Sequence, residues 1–177
     1  ARAANWGLSG YARPTTPELA RLPVINFSEV TACGTSTEVS LPCMFAPVGR
    51  RDYDAARIRG SESLLHVAAR AGVAVHWRDN QSGCKGVCDG LSHDSVNPAL
   101  APGLCQGGRC LDEGLLRGLD ERLRALHNGR GTQLLMLHML GNHGPSYYRR
   151  YPPAFERFTP VCRNDNLGQC TREEIVN

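Results

Sequence analysis

The amino-acid sequence predicts an α/β protein, a sandwich built on a mainly parallel sheet. Three observations carry this. Segments with strand and helix periodicity alternate in the order strand, helix, strand, loop, helix, strand. The helical stretch "SESLLHVAARAG" (61–72) runs directly into "VAVHW" (73–77), which reads as a strand. The apolar run "TQLLMLHML" (132–140) suits a central strand buried on both faces.

The elements follow in chain order. "TPELARL" (16–22) starts a short helix, with Thr16 as N-cap and Pro17 at the first helical position. "VINFSEV" (24–30) alternates apolar and polar residues as a half-buried strand does. Residues 36 to 45 suit a short helix that Pro42 limits or kinks, because proline donates no backbone hydrogen bond. In 61–72, Leu64, Leu65, Ala68 and Ala69 form one apolar face, and Gly72 fits the C-cap. The polar, Pro/Gly-rich stretch 92–110 reads as a stapled surface loop. "LDEGLLRGLDERLRALHNG" (111–129) is helical, broken around Gly114 and Gly118 and ending at Asn128-Gly129.

Composition bounds the function. The 177 residues suffice for one domain with a real core, and 41% hydrophobic with 21% charged residues is ordinary for a globular chain. The net charge of +3 is small and its cations are spread along the chain, which argues against a nucleic-acid partner. Lys85 is the only lysine. No apolar run approaches the ~20 residues that cross a bilayer, and there is no secretory leader. "ARAANWGLSGY" opens without Met and "TREEIVN" ends within a helical pattern, so both ends read as cuts through a longer protein.

Eight cysteines sit in close pairs: Cys33 and Cys43, Cys84 and Cys88, Cys105 and Cys110, Cys162 and Cys170. Four short-range disulfides are the simplest reading, although eight cysteines allow about 105 connectivities. Zinc binding by thiolates is the alternative. Against it, no pair has the two-residue gap of a zinc knuckle. Disulfides imply an oxidising compartment such as a periplasm.

Ligands of parallel sheets bind beyond the carboxyl ends of the strands. Three loops fall there: "CGTST" after 24–30, "RDNQSGCKGVCDG" after 73–77 and "GNHGPSYYRRY" after 132–140. In the first, a hydroxyl at a helix N-terminus is either a nucleophile that needs activation or simply a cap, and local sequence favours the cap at Ser36 or Thr37. In the second, Lys85 lies between Cys84 and Cys88, suited to a phosphate or merely solvated. Asp79 and Asp89 read as turn residues. In the third, His143 is placed for a ligand or an anion or is simply a turn residue, while His138 reads as a core histidine. His66, His76, His93 and His127 carry no readable signal. Three ligands for a catalytic metal cannot be assembled from these loops alone.

Taken together, "ARAANWGLSGYARPTTPEL", "NFSEVTACGTSTEVSLPCMF", "WRDNQSGCKGVCDGL", "MLHMLGNHGPSYYRRYPPAFERFTPVC" and "NLGQCTREEIVN" resemble the lipid A phosphoethanolamine transferases of Gram-negative bacteria. That family includes the mobile colistin-resistance enzymes. The resemblance runs from end to end. It implies an α/β/α sandwich of the alkaline phosphatase and sulfatase type, incomplete in this chain. Residues 1–177 would be part of a soluble periplasmic catalytic domain, lacking its C-terminal part and an N-terminal transmembrane domain that holds the protein at the periplasmic face of the inner membrane.

By the same resemblance Thr37 is the nucleophile and a zinc ligand. It would take phosphoethanolamine from phosphatidylethanolamine as a phosphothreonine ester and pass it to a lipid A phosphate, giving polymyxin resistance. His143 would be the substrate-side histidine and would meet a second zinc. Lys85 and Gln81 would bind substrate, Gln81 standing where some members have Asn. The cysteine pairs match the family's short disulfides. The family's zinc-binding Glu, Asp and His fall outside this chain, so the piece alone is expected to be inactive. A monomer without nucleic-acid partner is expected. The alternatives are a phosphatase or sulfatase of the same superfold, and a non-catalytic disulfide-rich binding module.

Overall fold

The computed structural model describes residues 13–25, 27, 29–128 and 131–177. The expected parallel sheet is present. Strand β1 (Ala74–Asp79) lies at its centre, flanked by β2 (Ser92–Ser95) and by β5 (Gln133–His138), both parallel to it. Asp79 therefore stands opposite both Ser95 and His138 at the carboxyl edge. The centre falls on β1 rather than on the apolar run 132–140. Trp77, Arg78 and Asp79 are buried, while every residue of β5 is only half-buried, because β5 has a strand on one side alone among the described residues.

Strand β2 corrects the loop expected at 92–110. Its sequence is Ser-His-Asp-Ser, with no apolar alternation to announce it. It is held by side chains that reach from β1. Arg78 Nε and Nη2 donate to Asp94 Oδ1 and Oδ2 at 2.9 and 2.8 Å, and His76 Nδ1 meets Ser92 Oγ at 2.8 Å. Beyond it, β3 (Cys105–Gln106) and β4 (Arg109–Cys110) form a small antiparallel hairpin. Gly107 and Gly108 turn it with φ of 58° and 75°, which L side chains rarely adopt.

The core lies between β1 and helices α1 (Thr37–Phe45) and α3 (Leu64–Arg70). Leu41, Phe45, Leu65, Val75, Trp77, Cys84, Val87 and Cys88 make it up, with Phe45 edge-on to Trp77 at 6.2 Å. Pro42 sits inside α1, and the helix still runs three residues past it because Leu41, Cys43 and Phe45 are buried. Helix α3 is capped at both ends. The Ser63 hydroxyl accepts from the backbone N–H groups of Leu65 and His66. At the other end Val73 N donates to Ala68 O and Gly72 N to Ala69 O, with Gly72 at φ 87°. Leu65 is fully buried, but Leu64 is 60% exposed, so the apolar face is narrower than its sequence suggests.

Between α1 and α3 lies a further short helix, α2 (Ala55–Arg59), capped by Asp54. After the hairpin come a 3-10 turn, Asp112–Leu116, and helix α4 (Leu119–Asn128). The expected breaks hold: Gly114 is buried in the turn, and Gly118 at φ 64° precedes α4. Gly129 lies outside the described residues. The chain closes on α5 (Arg172–Val176), with a capping box between Thr171 and Glu174.

Two early elements differ from expectation. Of the helix at 16–22 only a 3-10 turn, Leu19–Arg21, forms. The described residues of 24–30 make no strand, and Ile25, Phe27 and Val30 are 82%, 77% and 75% exposed; Asn26 and Ser28 lie outside the described residues. Alternation supplies an apolar face, but a strand also needs a neighbour for its N–H and C=O groups, and no described strand adjoins this one. All four cysteine pairs are disulfides as expected, spanning 10, 4, 5 and 8 residues. Among the described residues no helix is long and apolar enough to cross a membrane.

Candidate active site

The site forms where α1 begins beside the loop that follows β1. Ser36 occupies the N-cap position of α1, yet its side chain makes no capping bond. Thr37, the first helical residue, is half-buried and does not cap either. Its Oγ1 accepts instead from Gln81 Nε2 at 3.2 Å, a contact across 44 residues of sequence. The cap favoured by local sequence is therefore not the role of this hydroxyl. Gly34 permits the tight approach of the "CGTST" turn to the helix, since a Cβ there would lie 2.7 Å from Val39 Cγ1. The Cys33–Cys43 disulfide ties the same turn to the far end of α1.

Gln81 is held by the carboxylate that ends β1. Asp79 is 5% exposed and accepts four hydrogen bonds. Its Oδ1 receives His138 Nδ1 at 2.7 Å and Trp77 Nε1 at 3.2 Å. Its Oδ2 receives the backbone N–H groups of Gln81 and Gly83, each at 2.9 Å. Burial pushes this carboxyl up, but the bonds from His138, Gly83, Trp77 and Gln81 outweigh it and hold the pKa down at about 2. Because a carboxylate only accepts, His138 carries its proton on Nδ1. Asp79, read as a turn residue, is instead the last residue of β1, and only its carboxylate reaches into the turn that follows. His138 is a core histidine, as read, packed edge-on against Trp77 at 5.2 Å.

Lys85 projects from the ring closed by Cys84 and Cys88. Its backbone sits at φ 55°, the left-handed region that costs a non-glycine residue about 1 kcal/mol. The Nζ reaches Glu38 Oε2 at 3.3 Å, which brings the ammonium to the first turn of α1. The ring is clamped from α3: Ser63 Oγ donates to Val87 O at 2.7 Å, and His66 Nε2 donates to Asp89 O at 2.9 Å. Thus His66, silent in the sequence, fixes the loop that carries Lys85. A capping position three residues after Ser63 was its one available signal.

His143 lies on the loop after β5, at the same sheet edge. It is exposed, and its Nδ1 donates to Gly144 O at 2.8 Å, leaving Nε2 as the ring's lone pair. Its own carbonyl accepts from Arg150 Nε at 2.8 Å. The described contacts thus join Thr37, Gln81, Glu38 and Lys85, and they do not extend to His143. Asp112, which sequence reasoning passed over, anchors that loop. Its carboxylate accepts from Leu140 N at 2.8 Å, Gly141 N at 2.7 Å and Asn80 Nδ2 at 2.7 Å. Asn80 and Asp112 so link the loop after β1 to the loop after β5.

The arrangement offers a half-buried hydroxyl that accepts an amide donor, at a helix N-terminus suited to anions, with one ammonium paired to Glu38 of the same first turn. Among the described residues no three His, Cys, Asp or Glu side chains gather to hold a metal ion. The donors present do not by themselves fit a catalytic zinc, which takes three protein ligands.

Comparison with known proteins gives the site a context. A family profile described as Sulfatase matches residues 1–175. Phosphoethanolamine transferase EptA of Salmonella typhimurium is 43% identical over 99% of this chain and 32% of its own length. Phosphatidylethanolamine transferase Mcr-1 of Escherichia coli is 42% identical over 100% of this chain and 34% of its own length. The crystal structure of the soluble domain of lipooligosaccharide phosphoethanolamine transferase A from Neisseria meningitidis superposes with a TM-score of 0.89 at 46% identity, covering 99% of this chain and 52% of that one. The chain thus spans about a third of the length of the curated relatives it matches.

Proposed function

The chain belongs to the sulfatase family, and on that premise we propose that its parent protein transfers phosphoethanolamine from phosphatidylethanolamine to a lipid A phosphate. The observation that carries this is the Gln81–Thr37 hydrogen bond at the first turn of α1, the turn whose Glu38 pairs with Lys85. Relatives named as phosphoethanolamine transferases over the whole chain supply the substrate class.

In this reading Thr37 Oγ1 attacks the phosphorus, an O–P bond forms, and the bond to diacylglycerol breaks. The hydroxyl proton leaves with diacylglycerol. A lipid A phosphate oxygen then attacks the phosphothreonine ester, and Thr37 recovers a proton as its oxygen departs. Gln81 favours both steps in the same way. An amide N–H aimed at Oγ1 stabilises negative charge on that oxygen, whether it is attacking or leaving. Lys85 neutralises a phosphoryl oxygen, and the N-terminus of α1 adds its dipole.

Zinc belongs to this reading through a site that Thr37 shares with Glu, Asp and His ligands from other parts of the longer protein. The isolated 1–177 chain is then inactive, and stoichiometric tight zinc binding by it would contradict the assignment. The parent acts at the periplasmic face of the inner membrane, held there by a transmembrane domain. Each transfer sets an ammonium beside a lipid A phosphate and so weakens the attraction of cationic polymyxins.

Peptide mass mapping of the full-length protein, loaded with zinc and exposed to phosphatidylethanolamine, tests the mechanism. A phosphoethanolamine adduct on Thr37, absent from Thr35, Ser36 and Ser40, is expected. An unmodified Thr37 in folded, zinc-loaded protein refutes the covalent step.

A further inference from the structure

We propose that Asp79 is a positioning residue for the Thr37 chemistry and acts through Gln81. The inference rests on the transferase reading above. Its ground is the way the Asp79 carboxylate divides its bonds. One oxygen faces the sheet, taking His138 Nδ1 and Trp77 Nε1. The other faces the loop, taking the backbone N–H groups of Gln81 and Gly83. A single rigid group thus carries the position of β1 and β5 into the turn that presents Gln81.

The rest of the turn completes the link. Asn80 N donates to His138 O at 2.9 Å, so the residue between Asp79 and Gln81 is tied to the same sheet edge. Ser82 Oγ donates to Gln81 Oε1 at 2.8 Å. A hydroxyl donor on the amide oxygen fixes which end of the amide faces Thr37, leaving Nε2 for Oγ1 at 3.2 Å. A shift of the turn by an ångström would break a contact of that length.

Lys85, by contrast, has its own supports. The Cys84–Cys88 ring and the bonds from Ser63 and His66 hold it from the α3 side. Loss of the Asp79 carboxylate therefore displaces Gln81 more than Lys85. The expected signature is a fall in kcat with little change in KM, because substrate still meets the ammonium while Oγ1 loses its donor.

The test is a double-mutant cycle on the full-length, zinc-loaded protein in phosphatidylethanolamine vesicles. Asp79→Ser removes the carboxylate; Asp79→Glu keeps it and pushes the turn outward by one methylene. Both are made in the native and in the Gln81→Ala background, and folding is checked by circular dichroism, so that one misfolded variant leaves the other to decide. In the native background kcat falls about tenfold or more and KM stays within about twofold. In the Gln81→Ala background the same changes cost less than about twofold, because the group they position is gone. Equal falls in both backgrounds, or an unchanged kcat in folded variants, would overturn the proposal. Thr37→Ala is the control. If it stays active, the transferase reading fails; if it is inactive and the cycle is additive, the Asp79 proposal alone fails.

Discussion

Lys85 Nζ and Glu38 Oε2 stand 3.3 Å apart, joining a disulfide-closed ring to the first turn of α1. Glu38 is largely exposed, so the pair adds under about 1 kcal/mol to stability. Its effect is on availability. In the proposed reaction Glu38 would compete with an incoming phosphate for the ammonium. On the proposed reading, Glu38→Gln is expected to lower KM for phosphatidylethanolamine by up to about threefold and to lower stability in urea by the same ~0.7 kcal/mol at most. A raised KM would show that the carboxylate helps to hold substrate.

The ring behind Lys85 gives a second expectation. Closing five residues covalently is worth about 2 kcal/mol on loop entropy. Cys84→Ala with Cys88→Ala should cost about that in denaturant unfolding. It should also release Lys85 from its left-handed backbone, which the ring and the Ser63 and His66 bonds maintain. A fall in kcat/KM larger than the one Lys85→Ala produces would refute a role confined to that lysine.

Gly114 makes a steric prediction remote from the chemistry. A Cβ there would lie 2.4 Å from Val96 Cγ1 and 3.1 Å from Ala101 Cβ. Ala101 is fully buried and cannot give way. Gly114→Ala is expected to destabilise by about 1–3 kcal/mol, as overpacking does, read from the thermal midpoint. Gly72→Ala would instead act through φ alone, since nothing crowds that position.

Acid should weaken the fold in two stages. Burial lowers the pKa of His76 below its usual 6.5, against the pull of Asp94. The unfolded chain then takes up this proton first. The contribution is present above pH 6.5 and is lost as pH falls through 6.5 toward the folded value. Asp79 titrates at about 2 in the fold and at 3.8 when unfolded. Its contribution is present above pH 3.8 and disappears between 3.8 and 2, amounting to about 2–3 kcal/mol. Urea unfolding at stepped pH should show both limbs. Burial pushes the Asp94 carboxyl up, but Arg78 outweighs it and holds it below 3.8, so Asp94 shares the lower limb. Asp79→Asn should shrink that limb, and a lower limb of unchanged size would place the stability outside Asp79.

What could be read in the sequence was local or chemically specific. Strand β1, helix α3 with its Gly72 cap and the four neighbouring cysteine pairs follow from periodicity, turn chemistry and spacing. Thr37, Gln81 and Lys85 stood in the loop motifs; the fold brings Thr37 and Gln81 into contact and pairs Lys85 with Glu38, the neighbour of Thr37. The unread parts depend on contacts remote in sequence. Strand β2 has no apolar pattern and exists because Arg78 and His76 reach across to it. The Asp79–His138 pair spans 59 residues, and Asp112 meets Leu140 across 28. The described residues of 24–30 show the reverse: a strand pattern whose described residues have no neighbouring strand forms none. Leu64 shows how one residue of a helical face turns outward when only Leu65 reaches the core.

The four disulfides join each cysteine to the next one along the chain, and none encloses another. An oxidant that couples thiols in chain order therefore makes the native connectivity directly. Every cysteine finds its mate before the following pair arrives, so no wrong bridge has to be undone. For these eight cysteines, coupling in chain order needs no reshuffling of bridges, and each closed loop is short enough to form before the sheet does.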